Sequence, residues 1–442
     1  MRVFNTYIKP LTLVLLTADV IFALMVSATY QRGFKFWAVW PISPQVWLAP
    51  IWLSGCLLLP TFAMGLYQRS FLTVGNFPSR ALAAFLLGLG LVAIYARLNP
   101  AQGPSGRDAF LVATLCFFGL IANRVAAMRL ARLRSMTRRV TTLGPFEEMS
   151  ELKRLEAMVG SPGYSVANHI DVDPSGAIVA KSGSVAKTQA VIVSDSDELL
   201  PLATLFKLRF DGARVVRLAD FIEQERQMIH PLSPEARRLL LLPGRSHLSR
   251  AVKRALDVAI VSAALLFVAP LATAVALAVW LADGRPIIFR QERLGLNGRR
   301  FEMLKFRSMR IDAEKDGVAR WADMKDPRAT KVGAFLRRSR LDEIPQLINV
   351  LRGDMSLVGP RPERPEMVER LSEVAPMFRA RFLVPPGLSG WAQINFPYGA
   401  TVAQNLQKAG FDLYYVKNGS VLLDLIIMIQ TIRVIIMAEG SR

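Results

Sequence analysis

The chain has 442 residues, a net charge of +20 and 52% hydrophobic residues. That length allows two or three domains, and the apolar content excludes an ordinary soluble protein. Two cysteines, Cys56 and Cys116, exclude a disulfide framework, and three scattered histidines, His169, His230 and His247, exclude a histidine-based zinc site.

Four apolar runs, at about residues 11–30, 46–67, 81–98 and 109–128, each approach the ~20 residues a helix needs to cross a bilayer. They predict a four-helix transmembrane bundle over residues 1–130. The first run has no small-residue cleavage site and three more runs follow it, so it reads as a span and not as a cleaved signal. Arg124, Arg129, Arg132, Arg134, Arg138 and Arg139 follow or close the fourth run without an acid among them. Basic residues collect on the cytoplasmic side, so both ends of the bundle are expected there.

Residues 131–249 turn polar. The apolar run Ala190–Val193 and the segment Val215-Val216-Arg217-Leu218 read as strands, followed by helices near 198–207 and 219–228. Alternation of this kind predicts a small α/β Rossmann-like domain. Its candidate phosphate loop, Thr142-Leu143-Gly144-Pro145, lacks the repeated glycines a dinucleotide requires, so the domain reads as degenerate and structural.

A fifth apolar run, 256–282, carries Pro270 near its middle, and basic residues flank both ends: Lys253 and Arg254 before it, Arg285, Arg290 and Arg293 after it. Proline removes a helical hydrogen bond, and equal charge at the two ends does not favour placing them on opposite sides. A helix–break–helix hairpin over residues 250–285 satisfies both facts; a kinked fifth span is the alternative.

Residues 286–442 hold cations beside carboxylates. Lys305 and Arg307 lie in Lys305-Phe306-Arg307-Ser308-Met309, and Gly359-Pro360-Arg361-Pro362 sets an arginine in a rigid turn suited to clamping phosphate. Between them, Asp342-Glu343 follows Arg337, Arg338 and Arg340 and precedes Pro345, which predicts a helix starting near 342–345 and stopping at Gly353. Adjacent acids repel unless cations or a divalent metal offset them. Such a pair can supply a nucleophile and a proton acceptor; acids at a helix start are also favoured for stability alone.

Lys253-Arg254-Ala255-Leu256-Asp257, the Pro270 run, 305–309, Leu341-Asp342-Glu343-Ile344-Pro345-Gln346-Leu347, Gly353-Asp354-Met355-Ser356-Leu357-Val358-Gly359-Pro360-Arg361-Pro362 and Pro386-Gly387-Leu388-Ser389-Gly390-Trp391-Ala392-Gln393 stand in one order. From about 250 to 442 this order resembles the bacterial sugar transferase family, the monotopic phosphoglycosyl transferases. The preceding runs resemble its long forms, and Asn395-Phe396-Pro397-Tyr398-Gly399-Ala400 is most similar to the exopolysaccharide branch associated with exosortase-type systems.

The resemblance implies an α/β-type catalytic domain over 286–442, anchored by a re-entrant membrane helix kinked at Pro270. It implies transfer of a sugar-1-phosphate from a UDP-sugar to undecaprenyl phosphate, with release of UMP. Asp342 matches the attacking aspartate and Glu343 its proton-handling partner; Mg²⁺ is expected to bridge Asp342 and diphosphate. Arg337 and Arg361 match phosphate-binding positions, with Lys305 and Arg307 as helpers. The expected partners are the UDP-sugar, undecaprenyl phosphate and membrane lipids, with a homodimer open. The expected location is the bacterial inner membrane, catalytic domain towards the cytoplasm.

Two positions depart from the family. Arg340 stands where many members have serine, and Ile394-Asn395-Phe396-Pro397 lacks an arginine that others carry, so the sugar is not legible. The rival reading is a non-catalytic scaffold of polysaccharide assembly. Nucleic acid is not expected, because the charge follows membrane flanks and site motifs without aromatic platforms for bases.

Overall fold

The computed structural model describes residues 2–3, 6–7, 10–32, 45–67, 77–98, 106–132, 138–144, 164–170, 190–194, 202–242, 244–313, 326–396 and 401–437. It is mostly helical, with small parallel sheets and one antiparallel hairpin. Two compact units divide between Phe221 and Ile222, residues 2–6 grouping with the second.

In the first unit, helices α1 (Pro10–Arg32), α2 (Gln45–Ala63), α3 (Phe77–Leu98) and α4 (Gly106–Arg132) coincide with the four apolar runs. Ala23, Leu53, Val92 and Cys116, one from each, meet in a buried cluster. Small residues let the backbones approach: a Cβ on Gly88 would stand 3.4 Å from the Cys56 carbonyl oxygen. Asp19, fully buried, accepts from Tyr67 Oη at 2.7 Å and Asn123 Nδ2 at 2.9 Å, and pairs with Arg124.

The α/β part carries a four-stranded parallel sheet in the order β2 (Tyr164–Ile170), β1 (Arg138–Leu143), β3 (Ala190–Val193), β4 (Val215–Arg217). Helix α5 (Leu202–Phe210) lies between β3 and β4, and α6 (Leu218–Arg226) follows directly on β4. The expected strand at 190–193 is present, and that at 215–218 is present to Arg217, with Leu218 starting α6; β1 and β2 are additional. Val191 and Val193 are buried with Leu143, Ile170 and Leu208. Thr142 and Leu143 close β1, so the expected loop begins as strand, and Pro145 lies outside the described residues.

In the second unit, α7 (His247–Asp283) is one continuous helix through Pro270, without the break expected there: the hydrogen bond that proline removes does not interrupt the helix. Among the described residues, it and α3 are the two helices long and apolar enough to cross a membrane, and α1, α2 and α4 carry shorter apolar stretches. Two hydrophobic clusters share α7: Val261 packs with Met303, Leu347, Val350 and Met355, and Val275 and Val279 pack with Phe306 and Leu336. Its outer face stays apolar, with Leu266 78% and Phe267 83% exposed.

Both ends of α7 are tied to the same unit. Near its start, Arg254 donates to the carbonyls of Val350 (2.5 Å) and Leu351 (2.7 Å), and the Asp257 carboxylate accepts from Leu357 N (3.2 Å). At its end, Arg307 donates to the carbonyls of Asp283 and Gly284, and Thr330 Oγ1 donates to the Asp283 carboxylate at 2.8 Å.

The rest of the unit assembles against this helix. Strands β5 (Ile288–Leu294) and β6 (Arg300–Phe306) form an antiparallel hairpin, and α8 (Lys331–Ser339) follows. A 3₁₀ turn (Leu341–Glu343) leads to α9 (Gln346–Arg352), which Gly353 ends at φ 93°. Strand β7 (Ser356–Val358) pairs in parallel with β8 (Gly387–Ser389). Helices α10 (Pro365–Val374), α11 (Trp391–Asn395), α12 (Val402–Asn418) and α13 (Val421–Ile436) complete the unit.

Candidate active site

The predicted Asp342-Glu343 pair lies on the 3₁₀ turn just before the helix on which it was expected. Arg340 ends α8 in the left-handed region (φ 57°) and redirects the chain into that turn. Leu341 and Ile344, on either side of the acids, both pack against the cluster of Val275 and Val279 of α7 with Phe306 and Leu336. Burying such side chains contributes ~1.5–3 kcal/mol each when complete, enough to hold a three-residue turn in place. The acids are thereby fixed beside the apolar helix.

Glu343 is clamped. Arg361 Nη2 lies 2.8 Å from its carboxylate, Lys305 Nζ 3.5 Å and Arg340 Nη1 3.7 Å. Burial pushes the Glu343 carboxyl up, but Arg361, Lys305 and Arg340 outweigh it and hold the group well below the usual carboxylate range. Asp342 differs. It is 6% exposed, and among the described residues no cation forms an ion pair with it. Burial raises its carboxyl above the ordinary aspartate value, Lys305 opposing and the charge of Glu343 adding to the rise. Lys305 is itself lowered, first by burial.

Other elements present the cations. Lys305 stands near the end of β6, and Arg361 in the turn after β7. That turn requires glycine: a Cβ on Gly359 would lie 2.3 Å from the Pro385 carbonyl oxygen, where β7 and β8 run side by side. Helix α8 is seated the same way, since a Cβ on Gly333 would lie 1.9 Å from the Ser308 carbonyl oxygen.

The remaining predicted residues separate into two groups. Arg337 lies near the acids, contributing to the field on Asp342; its Nη1 is 3.9 Å from the Asp326 carboxylate and has no hydrogen-bond partner. Asp326 is drawn down to about 2, chiefly by the hydrogen bond from Arg328. Arg307 is buried with its Nη2 on the carbonyls at the end of α7, a capping position, and Pro270 lies inside that helix, away from the charged groups. Arg338 is exposed.

Sequence reading missed a second charged cluster behind Arg361. Glu363 meets Lys408 at 3.2 Å and Arg293 and Arg381 at 3.7 Å each, and Arg381 meets Asp412 at 2.5 Å. A signal was present: Arg381 sits between Ala380 and Phe382, and Asp412 between Phe411 and Leu413, charged residues in apolar surroundings that end up buried.

The site suits phosphate chemistry. Several cations converge on one saturated carboxylate, beside a second, buried carboxylate with no ion-pair partner among the described residues. Surplus positive charge can receive anionic oxygens, and the unpaired acid can receive phosphorus or a metal.

Comparison with known proteins agrees. Residues 248–438 match the family model described as bacterial sugar transferase. The chain is 41% identical over 191 residues to the UDP-N-acetylgalactosamine-undecaprenyl-phosphate N-acetylgalactosaminephosphotransferase of Aeromonas hydrophila, covering 43% of this chain and 45% of that protein. It is 43% identical over 189 residues to the UDP-glucose:undecaprenyl-phosphate glucose-1-phosphate transferase of Escherichia coli, covering 42% and 40%. With the enzyme of the same name from Caulobacter vibrioides it shares 41% identity over 221 residues, 48% of this chain and 82% of that protein. The match spans less than half the length of the first two relatives. The chain belongs to the bacterial sugar transferase family.

Proposed function

We propose that this protein moves a sugar-1-phosphate from a UDP-sugar to undecaprenyl phosphate, with Asp342 as the nucleophile. The carrying observation is the contrast within the pair: Glu343 is held by three cations, and Asp342 beside it has no ion pair among the described residues. The names of the three relatives above, each an undecaprenyl-phosphate sugar phosphotransferase, support the same substrates.

In the first step an Asp342 carboxylate oxygen bonds to the β-phosphorus. The bond from that phosphorus to the bridging oxygen breaks, and UMP departs with the electron pair. In the second step a phosphate oxygen of the lipid attacks the same phosphorus, and the Asp342 carboxylate leaves. Two displacements at one carboxylate let a soluble donor and a membrane acceptor use the site in turn. Arg361, Lys305 and Arg337 would bind the phosphoryl oxygens where charge develops. As those oxygens draw Arg361 and Lys305 away, Glu343 regains basicity and accepts the proton of the lipid phosphate.

The donor set fits Mg²⁺. Among the described residues no cluster of three or more His, Cys, Asp or Glu could hold a metal, whereas a single carboxylate, Asp342, together with substrate phosphates is a common magnesium environment. Bound there, Mg²⁺ would neutralise diphosphate charge and support the leaving group.

The membrane arrangement belongs to the same proposal. Helices α1 to α4 span the inner membrane with the basic end of α4 in the cytoplasm. Helix α7, continuous through Pro270 and apolar on its outer face, rests in one leaflet without crossing; the attachment of both its ends to one unit supports this over a crossing. The lipid-linked sugar is then formed at the cytoplasmic face, for exopolysaccharide assembly.

The test is a panel of labelled UDP-sugars, including UDP-glucose and UDP-N-acetylgalactosamine, given to the full-length protein with undecaprenyl phosphate and Mg²⁺. UMP release with transfer of label to lipid is expected from at least one, and loss of both in Asp342→Asn. Transfer that survives Asp342→Asn would contradict the proposal.

A further inference from the structure

The turn that presents Arg361 contains Pro360 and Pro362, which lack N–H groups, so it cannot be fixed by a regular ladder. Its carbonyls show how it is held. Pro360 O accepts from Gly387 N at 2.9 Å, and Glu363 O from Leu294 N at 3.1 Å. The two between them are taken by arginine side chains: Arg361 O by Arg381 Nη2 at 3.0 Å, and Pro362 O by Arg293 Nη1 at 3.2 Å.

Arg381 is 2% exposed, and its guanidinium lies 4.7 Å from the centre of the Phe378 ring. A cation so placed persists only when paired. Its Nη2 is bound to Asp412 at 2.5 Å, and its Nη1 shares Glu363 with Arg293 and Lys408. Arg361 is thus gripped at both ends, its carbonyl by Arg381 and its guanidinium by Glu343.

We infer that Arg381, oriented by Asp412, is a positioning residue that sets where Arg361 delivers its guanidinium to the transferred phosphate. The inference deepens the proposed function and rests on it. A buried ion pair can also serve stability alone, but that role does not require one of its hydrogen bonds to end on the backbone of a phosphate-clamping residue. Lysine cannot replace this arginine, because it lacks the fork that reaches a carbonyl and two carboxylates together.

A double-mutant cycle on UMP release by the full-length protein tests this, with thermal melting of each variant as the fold control. Asp412→Asn and Arg381→Lys are each expected to lower kcat/KM for the UDP-sugar about 10- to 100-fold, the scale on which a remotely misplaced catalytic group is felt. In an Arg361→Ala background the same substitutions are expected to cost less than about 3-fold, because groups acting through one another are not additive. Effects that multiply in the double variants would overturn the inference, as would failure of both single variants to fold, which would assign the cluster to stability. Failure of the wild type to release UMP from any UDP-sugar would instead sink the proposed function.

Discussion

The helical bundle and the second unit each bury a carboxylate beside cationic side chains, one at Asp19 and several at Glu343, and the two are satisfied differently. In the bundle, both oxygens of Asp19 are used, by Tyr67, Asn123 and Arg124, and no second acid adjoins it. In the second unit Glu343 is just as fully engaged, yet Asp342 is buried next to it with no ion pair among the described residues. A buried carboxylate with both oxygens engaged holds helices in register; surplus cations around a carboxylate without an ion pair form a receptor for anions.

Neutralising each acid in turn should separate the two roles. Asp342→Asn is expected to lower UMP release by about 10⁴-fold or more, the scale seen when a covalent nucleophile is removed, with the melting temperature unchanged. Equal activity in wild type and variant would leave the unpaired acid without a role. Arg361→Ala is expected to cost about 10²- to 10³-fold in kcat/KM, as for removal of one donor to a developing oxyanion, read in the same assay.

Asp19→Ala should act on stability instead. It strands Arg124 in the bundle interior, and breaking a buried pair costs about 3–5 kcal/mol, observable as early melting in detergent, while UMP release per folded molecule stays within about 2-fold.

Acid titration sharpens the contrast further. Burial pushes the Glu363 carboxyl up, but Lys408, Arg381 and Arg293 more than offset it and hold it at about 2. A carboxyl lower in the folded than in the unfolded chain contributes stability above its unfolded value near 4.5, and that contribution fades as pH falls towards 2. The second unit should therefore lose stability across that window, and Glu363→Gln should flatten the fall, as followed by melting temperature against pH. The smallest effect is expected at Arg290 and Glu302, 3.0 Å apart but 66% and 59% exposed. Arg290→Ala should change stability by less than about 0.5 kcal/mol, since water screens such a pair.

The four helices of the bundle were legible because burial within a helix writes itself as a run of apolar residues. Strands β3 and β4 were legible as β-branched runs. Strand β2, Tyr-Ser-Val-Ala-Asn-His-Ile, was missed: its polar residues dilute the apolar signal that marked β3.

At the site, Asp342, Glu343, Lys305 and Arg361 were legible as types, and the structure brings all four together. The turn that carries the acids was not. Arg340 enters the left-handed region without being glycine or asparagine, and no local residue announces it. Nor was the capping position of Arg307 or the Arg381–Asp412 pair, because which carbonyl or carboxylate a cation reaches depends on elements distant in sequence: Asp283 and Gly284 for Arg307, and α12 for Arg381.

The proposed transfer turns on one bond, between an Asp342 oxygen and phosphorus. Full-length protein incubated with Mg²⁺ and a UDP-sugar labelled at the β-phosphate, without lipid acceptor, and then rapidly denatured, should retain about one label per active molecule on the wild type. Asp342→Asn should retain none, and added undecaprenyl phosphate should discharge the wild-type label. No retained label on an enzyme that completes the transfer, or equal label on both proteins, would contradict the account.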